Sequence, residues 1–288
     1  MNASLSLKVK RVAEGSAPLV PASVIWLFLF VIPLAIFFVY GFFRTGVLDI
    51  EYVFSLDSYQ RVLTDRLYLQ VIARTMEIAM VVATIASLLA FTFCYFATFH
   101  FRRYREILLT VITVSLFSGY LVRVYAWRTI LGAEGIVNET LLTLGAINRP
   151  LSFLVYSSFG VVLVLICMLL PFAIIPMYSS LGNVSRELLD ASRDLGASPI
   201  EAIRTVLIPI ARKGIMAAFA FSFVLAAGDY VTPQLVGGAS TQMVGNIIAD
   251  QFGASFDWPL ASAIGVTTTF IAGWVLFAVS RLLRWITK

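Results

Sequence analysis

A carboxylate within an apolar stretch is the first residue that could do chemistry here. Asp229 lies in the segment Gly-Asp-Tyr-Val-Thr-Pro at 228–233, a pattern typical of a broken helix end. Arg123 and four aromatic residues, Tyr120, Tyr125, Trp127 and Tyr230, are expected at the same depth. A carboxylate among aromatic rings can bind an elongated organic cation by ion pairing and cation–π contact. An interfacial aromatic belt, with Asp229 capping a helix and Arg123 reaching to the interface, fits these residues as well.

The sequence shows no constellation of residues of the kind that an enzyme, a metal site or an ATP site requires. His100 is the single histidine, and it lies beside Arg102 and Arg103, where an interfacial side chain is expected. The Gly-x4-Gly-Lys-Ser/Thr phosphate loop does not occur, so this chain is not expected to bind or hydrolyse ATP. Cys94 and Cys167 lie in apolar stretches and indicate neither a disulfide nor a metal site. We therefore expect no catalytic residue, metal or bound cofactor in this chain. If the protein transports a solute actively, the energy must come from a partner or from an ion gradient.

Long apolar stretches predict an all-α integral membrane protein. The chain has 288 residues, of which 60% are hydrophobic, and its mean hydropathy is +0.91. As a helix, roughly 20 apolar residues cross a hydrocarbon layer of about 30 Å. Six spans are predicted, at approximately 24–43, 74–99, 107–127, 153–178, 214–235 and 260–283. No internal repeat is evident, which disfavours an inverted-repeat carrier.

The distribution of Lys and Arg predicts the orientation of the spans. Roughly twice as many Lys and Arg residues lie near the chain ends, the turn at 102–105 and the loop at 182–212 as on the other side, and positive residues favour the cytoplasm. Both termini and this loop are therefore expected inside the cell. The net charge of +5 is explained by this bias, and no nucleic-acid partner is required. The predicted organisation is a basic cytoplasmic tail at 1–22 and a single transmembrane domain at 23–288 in a lipid bilayer.

The loop at 182–212 predicts two short helices joined by a rigid corner. Ser185 fits the N-cap of a first helix that runs to Leu195. Gly196 follows at the position where a helix end favours a left-handed residue, which glycine adopts without a steric penalty from Cβ.

The second helix of this loop begins with a capping signature. Ser198 fits the N-cap, Pro199 the first helical position and Glu201 the partner residue of a capping box. Pro209 is predicted to end this helix. A rigid, charged projection from a membrane protein suits a protein partner in water, although an ordinary helical loop has the same local pattern.

The same loop resembles a motif in the permease subunits of bacterial ABC importers. That motif has an acidic residue, two small residues, a glycine after three intervening residues, then a hydrophobic residue and a proline. The matching residues are Asp190, Ala191, Ser192, Gly196, Val206 and Pro209. In that family the loop is the coupling helix, which docks on the ATPase subunit. The resemblance implies an ATPase-coupling role here for Asp190, Ala191, Ser192, Gly196, Ala197, Ser198, Pro199 and Pro209.

Further segments resemble the spermidine/putrescine permease subfamily. They lie at 54–59, 121–125, 138–142, 170–172, 177–180, 228–237, 245–248 and 257–259, and the resemblance covers about residues 24 to 283. It implies the type I ABC importer permease fold, with six transmembrane helices and a cytoplasmic coupling helix, in a bacterial inner membrane. Relatives import other small solutes, including phosphonates and opine-like compounds, so a different solute remains an alternative, as does a gradient-driven carrier.

The resemblance also implies a mechanism of alternating access. A periplasmic solute-binding protein would deliver the solute to two permease subunits, of which this chain is one. Two ATPase subunits would close on ATP, and each coupling helix would transmit that closure to the spans. The substrate pathway would then include Asp229, Tyr230, Arg123, Tyr125, Tyr120 and Trp127.

Overall fold

The computed structural model describes residues 19–46, 50–182 and 184–286, so most of the predicted basic tail lies outside the described residues. Within these ranges nearly all regular structure is helical, and the exception is a hairpin that pairs β1 (Arg44–Thr45) with β2 (Ile50–Glu51). Helix α1 occupies 19–40 and joins Leu19–Trp26, a π-helical turn at Leu27–Val31 and Ile32–Tyr40. The other helices are α2 (Asp57–Thr64), α3 (Arg66–Phe99), α4 (Arg105–Leu116), α5 (Tyr120–Leu131), α6 (Ile136–Thr143), α7 (Ser158–Leu181), α8 (Arg186–Asp194), α9 (Pro199–Ala227), α10 (Val231–Val236), α11 (Val244–Gly253) and α12 (Trp258–Ile286).

Five of these helices are long and apolar enough to cross a membrane: the Ser23–Tyr40 part of α1, and α3, α7, α9 and α12. A sixth crossing is obtained if a bent pair counts as one span: α4 and the following Tyr120–Thr143 segment pass the same test together and meet at 98°. The prediction of one unbroken span at 107–127 is therefore wrong. The chain leaves the helix at Gly119, whose ψ of 129° is extended, and glycine is a poor helix former.

The centre of the bundle is formed by α3, α7 and α9, which pack against one another pairwise. Small residues allow this close packing. A Cβ on Gly214 of α9 would lie 2.5 Å from Oγ of Ser180 and 2.9 Å from the carbonyl oxygen of Pro176, both in α7. Because lipid tails are as apolar as leucine, membrane helices associate through such close contacts rather than through water exclusion.

Helix α9 continues without a break from Pro199 to Ala227. The prediction that Pro209 ends the helix is therefore wrong. The preceding turn, Ile203–Leu207, is π-helical, and Pro209 lies in the first turn of the α-helical segment Ile208–Ala227. A proline is tolerated there because it has no amide hydrogen and the first-turn amides have no α-helical acceptor. The loop at 182–212 is consequently continuous with a transmembrane helix.

Helix α1 lies at the edge of the bundle. None of its Ser23–Tyr40 window is buried within this chain. Its last two turns contact the rest of the protein through aromatic rings: Phe37 lies 6.1 Å from Phe252, and Tyr40 lies 6.0 Å from Trp258, between ring centroids. The remainder of α1 is left to lipid or to another subunit.

Candidate functional site

The corner of the loop at 182–212 has the predicted left-handed glycine. Gly196 has a φ of +91°, and its amide donates to the carbonyl of Arg193 at 2.8 Å. The amide of Ala197 donates to the carbonyl of Ser192 at 3.0 Å, which closes the helix end. No atom lies within 4 Å of the position that a Cβ on Gly196 would occupy. Glycine is thus required at position 196 because of the left-handed backbone conformation, and not because a side chain would clash.

The start of α9 has the predicted capping box. The amide of Glu201 donates to Oγ of Ser198 at 3.3 Å, and the amide of Ser198 donates to Oε2 of Glu201 at 2.9 Å. Pro199 occupies the first helical position. Ser185 precedes α8 as predicted, but its side chain makes no capping hydrogen bond. The two helices of the loop are therefore started by different means.

One side of the loop is anchored to the bundle and the other is exposed. Leu189 and Ala202 are buried in a cluster that includes Leu181 at the end of α7. At the tip, by contrast, Leu195 is 90% exposed and Ile200 is 70% exposed. Large apolar side chains held in the open on a rigid corner are typical of a protein-interaction surface.

The acidic residue of the motif lies on the exposed face of α8. Asp190 is shared between two arginines, with contacts of 3.9 Å to Nε of Arg186 and 3.8 Å to Nη1 of Arg193. Ala191 beside it is exposed, and Oγ of Ser192 donates to the carbonyl of Leu189 at 2.8 Å. Both ion pairs are long and exposed, so they contribute little stability and leave the polar face accessible to a partner.

Asp229 lies at the opposite end of α9, in the break between α9 and α10. Its Oδ2 accepts hydrogen bonds from the hydroxyls of Tyr120 and Thr232, each at 2.5 Å. Its Oδ1 accepts from the backbone amides of Val231 at 2.9 Å and Thr232 at 3.4 Å. Both carboxylate oxygens are therefore occupied by groups of the protein, in the arrangement of a cap on α10.

The other predicted pathway residues are placed differently. Arg123 is half-buried one turn after Tyr120 on α5, and its Nε is buried without a hydrogen-bond partner among the described residues. Trp127 is half-buried against the core, whereas Tyr125 is exposed on the same helix. Tyr230 lines a mainly apolar cavity of about 670 Å³ between α1, α9, α11 and α12. The structure thus joins Tyr120 to Asp229, and it directs Tyr230 to a separate cavity.

Two polar residues whose hydrogen bonds hold the region around Tyr230 and α11 together were not identified from the sequence. Asn246 donates from Nδ2 to the carbonyl of Tyr230 at 2.8 Å and accepts from the amide of Met243 at 3.1 Å. Thr75 of α3 accepts from the amide of Val244 at 2.9 Å. A polar side chain in an apolar stretch is the signal that could have identified them.

Comparisons with known proteins agree with this architecture. The spermidine/putrescine transport system permease protein PotB of Escherichia coli (strain K12) is 33% identical over 239 residues, covering 83% of this chain and 86% of PotB. PotB of Haemophilus influenzae is 30% identical over 258 residues, covering 89% and 90%. The inner membrane ABC transporter permease protein YdcU of Escherichia coli (strain K12) is 31% identical over 223 residues, covering 74% and 71%. No protein-family model matches the chain.

Solved structures share the fold. One is the crystal structure of a bacterial ABC transporter involved in the import of the acidic polysaccharide alginate. It aligns with a TM-score of 0.70 at 18% identity and covers 99% of this chain and 100% of that one. The alginate transporter in complex with an alginate pentasaccharide-bound periplasmic protein aligns equally well, covering 98% and 97%. The chain therefore belongs to the family of permease subunits of binding-protein-dependent ABC importers that includes PotB, and it has their all-α membrane fold.

Proposed function

We propose that this chain is one of two permease subunits of an ATP-driven polyamine importer in a bacterial inner membrane. The observation that carries the substrate class is the 33% identity to PotB, which extends over 83% of this chain. PotB is named for spermidine and putrescine transport. The proposed partners are a second permease subunit, two ATPase subunits that bind the ATP, and a periplasmic solute-binding protein. This chain binds no cofactor itself.

The loop at 182–212, here called the coupling loop, is the proposed ATPase contact. Its exposed tip at Leu195 and Ile200 suits insertion into a groove of the partner. The continuity of α9 supports a mechanical role, because a helix of 29 residues is roughly 43 Å long and carries displacement from one end to the other. Closure of the ATPases would thus move the break at Asp229, on the opposite side of the membrane.

The coupling loop and both termini are proposed to be cytoplasmic. ATP is available on that side, and the excess of Lys and Arg near the loop and the chain ends favours it. Six crossings, counting the bent pair as one, return the chain to the side on which it began. The break at Asp229 then faces the periplasm, where the binding protein would deliver the solute.

The proposed outer pathway comprises Asp229, Tyr230, Arg123, Tyr125, Tyr120 and Trp127. Tyr230 is the best supported substrate contact, because it lines a mainly apolar cavity, and an aromatic residue with apolar walls suits a cation with methylene segments. Asp229 would act by holding the break, since its oxygens already accept hydrogen bonds from Tyr120, Val231 and Thr232.

The proposal is tested by reconstituting this chain with its neighbouring subunits and measuring uptake of labelled spermidine and putrescine against a panel of other solutes. Saturable, ATP-dependent polyamine uptake is the expected result. ATP-dependent uptake of a different solute would retain the importer and reject the polyamine assignment. Uptake that follows an ion gradient without ATP would reject the coupling mechanism and favour a carrier.

A further inference from the structure

A second cavity, of about 520 Å³, lies at the base of the coupling loop. It is enclosed by the last turn of α3, the start of α4, the end of α7 and the first turn of α8. Its polar lining consists of Thr98, His100, Arg105, Ser185, Arg186 and Glu187. None of these side chains belongs to the exposed tip that was proposed above as the ATPase contact. The cavity lies on the side of the coupling loop that faces the ends of α3 and α7.

The lining of this cavity carries two arginines and one carboxylate, and Asp190 lies just outside it against Arg186. Arg105 and Arg186 approach it from different helices, whereas Glu187 contributes a single carboxylate on the exposed rim. Arg105 is held by the ring of Tyr178, with its guanidinium carbon 5.6 Å from the ring centroid. The contact of Arg186 with Asp190 is long, at 3.9 Å. Two guanidinium groups facing one space are typical of a site for a phosphate or carboxylate.

A buried hydroxyl in the wall also lacks a partner. Thr98 is 8% exposed, and its Oγ1 makes no hydrogen bond among the described residues. Other threonines in the helices, such as Thr84 and Thr92, return their hydroxyl to the carbonyl four residues earlier, at 2.7 and 2.9 Å. Buried polar groups are usually paired, so the Thr98 hydroxyl is available as a donor to a ligand in this cavity.

The start of α8 lies at the same cavity, which Ser185, Arg186 and Glu187 line. Ser185 precedes this nine-residue helix without a capping hydrogen bond from its side chain, so the first-turn amides are not capped by it. The N-terminus of a helix carries partial positive charge and favours anions. The guanidinium groups, the Thr98 hydroxyl and these amides together form a set of donors suited to a phosphate.

The location indicates where that phosphate would come from. The transmembrane helices α3 and α7 end at the cavity, at Phe99 and Leu181, which places it at the level of the lipid headgroups. Phe101 and Tyr104 beside it are more than half exposed, and they offer apolar surface to an acyl chain. Basic pockets between transmembrane helices on the cytoplasmic side bind anionic headgroups in other membrane proteins.

We propose that this cavity binds the phosphate of an anionic glycerophospholipid in the leaflet on the coupling-loop side. The lipid bridges α4 and α8, and it therefore fixes the base of the coupling loop at the membrane surface. The position of the loop then depends on the anionic lipid content of that leaflet. This inference holds for any transported solute.

The test uses the assembled transporter in nanodiscs of phosphatidylcholine alone or of equal parts phosphatidylcholine and phosphatidylglycerol. Lipid retained by the complex after release into detergent is identified by native mass spectrometry. We expect selective retention of phosphatidylglycerol, reduced about fivefold by Arg105→Gln and by Arg186→Gln, since each arginine near such a headgroup contributes a comparable factor. Thr98→Val, which keeps the volume and removes the hydroxyl, should also reduce retention.

Arg103→Gln is the matched control, because it removes an exposed arginine of the same region that does not line the cavity. Equal losses in Arg103→Gln and Arg105→Gln would indicate diffuse attraction to the membrane surface and overturn the site. Retention of phosphatidylglycerol at the wild-type level in all three cavity variants would overturn it as well. Binding of inorganic phosphate, measured in the phosphatidylcholine discs, without lipid retention would also overturn the site.

If an arginine variant fails to assemble, Thr98→Val decides the question. Since the readout is lipid and not uptake, failure here leaves the polyamine proposal untouched.

Discussion

The hydroxyl of Tyr120 donates a hydrogen bond of 2.5 Å to Oδ2 of Asp229. This contact joins α5, the second arm of the bent pair, to the break between α9 and α10. Thr232 donates to the same oxygen. Two interrupted helices are thus held together by one carboxylate, at the end of α9 that lies opposite the coupling loop.

Tyr120→Phe should destabilise this junction. We expect a loss of about 1–3 kcal/mol in the free energy of unfolding, because a hydrogen bond to a partly buried carboxylate is removed. Tyr125→Phe is the control, since Tyr125 is exposed on the same helix, and its effect should stay within about 0.5 kcal/mol. Thermal unfolding of the assembled complex in detergent compares the two variants. Equal melting temperatures would show that the contact contributes no stability.

Asp229→Asn separates a holding role from direct contact with the substrate. The amide keeps the shape but brings a donor towards groups that already donate, so we expect lower thermal stability and less than about a twofold change in the KM for uptake. A direct ion pair with a cationic solute predicts a KM rise of about tenfold or more, equivalent to ~1.4 kcal/mol. Uptake titrations with spermidine and putrescine distinguish the two. A tenfold rise with unchanged stability would refute the holding role.

Gly196→Ala should reduce coupling without preventing membrane insertion. A non-glycine residue in a left-handed conformation costs about 1–2 kcal/mol, and Gly196 has a φ of +91° with no neighbouring atom to clash. The corner of the coupling loop should therefore relax, which lowers ATP-driven uptake per ATP hydrolysed. Gly253→Ala is the control, because that position also has open space and its φ is not positive. Normal coupling in Gly196→Ala would exclude a requirement for the rigid corner.

Ser198→Ala and Ser185→Ala form a matched pair of N-cap substitutions. Ser198 makes the capping box with Glu201, so its loss should cost about 1 kcal/mol. Ser185 makes no such bond, and its substitution should cost only a few tenths of a kcal/mol. Hydrogen exchange of the amides in the first turns of α8 and α9 reports both effects. For each variant, the exchange rate in the first turn of its own helix is compared with the wild type. A larger increase in α8 for Ser185→Ala than in α9 for Ser198→Ala would contradict the observed caps.

The features that depend on neighbours along the chain were predictable from the sequence. The corner at Gly196 and the capping box of Ser198 and Glu201 form as predicted, because each involves residues within a few positions of one another. The membrane class followed from the length of the apolar stretches, since a lipid layer requires only that a helix be long and apolar enough.

Contacts between residues far apart in the chain required the three-dimensional structure. The 98° angle between α4 and the Tyr120–Thr143 segment and the pairing of Tyr120 with Asp229 across 109 positions are not local properties. The cavity at Arg105 and Arg186 likewise depends on helices that are distant in sequence. Hydropathy reports whether a residue prefers lipid, but not which helix it faces. Those choices arise from packing among α3, α7 and α9, where small residues and proline positions fix which backbones approach.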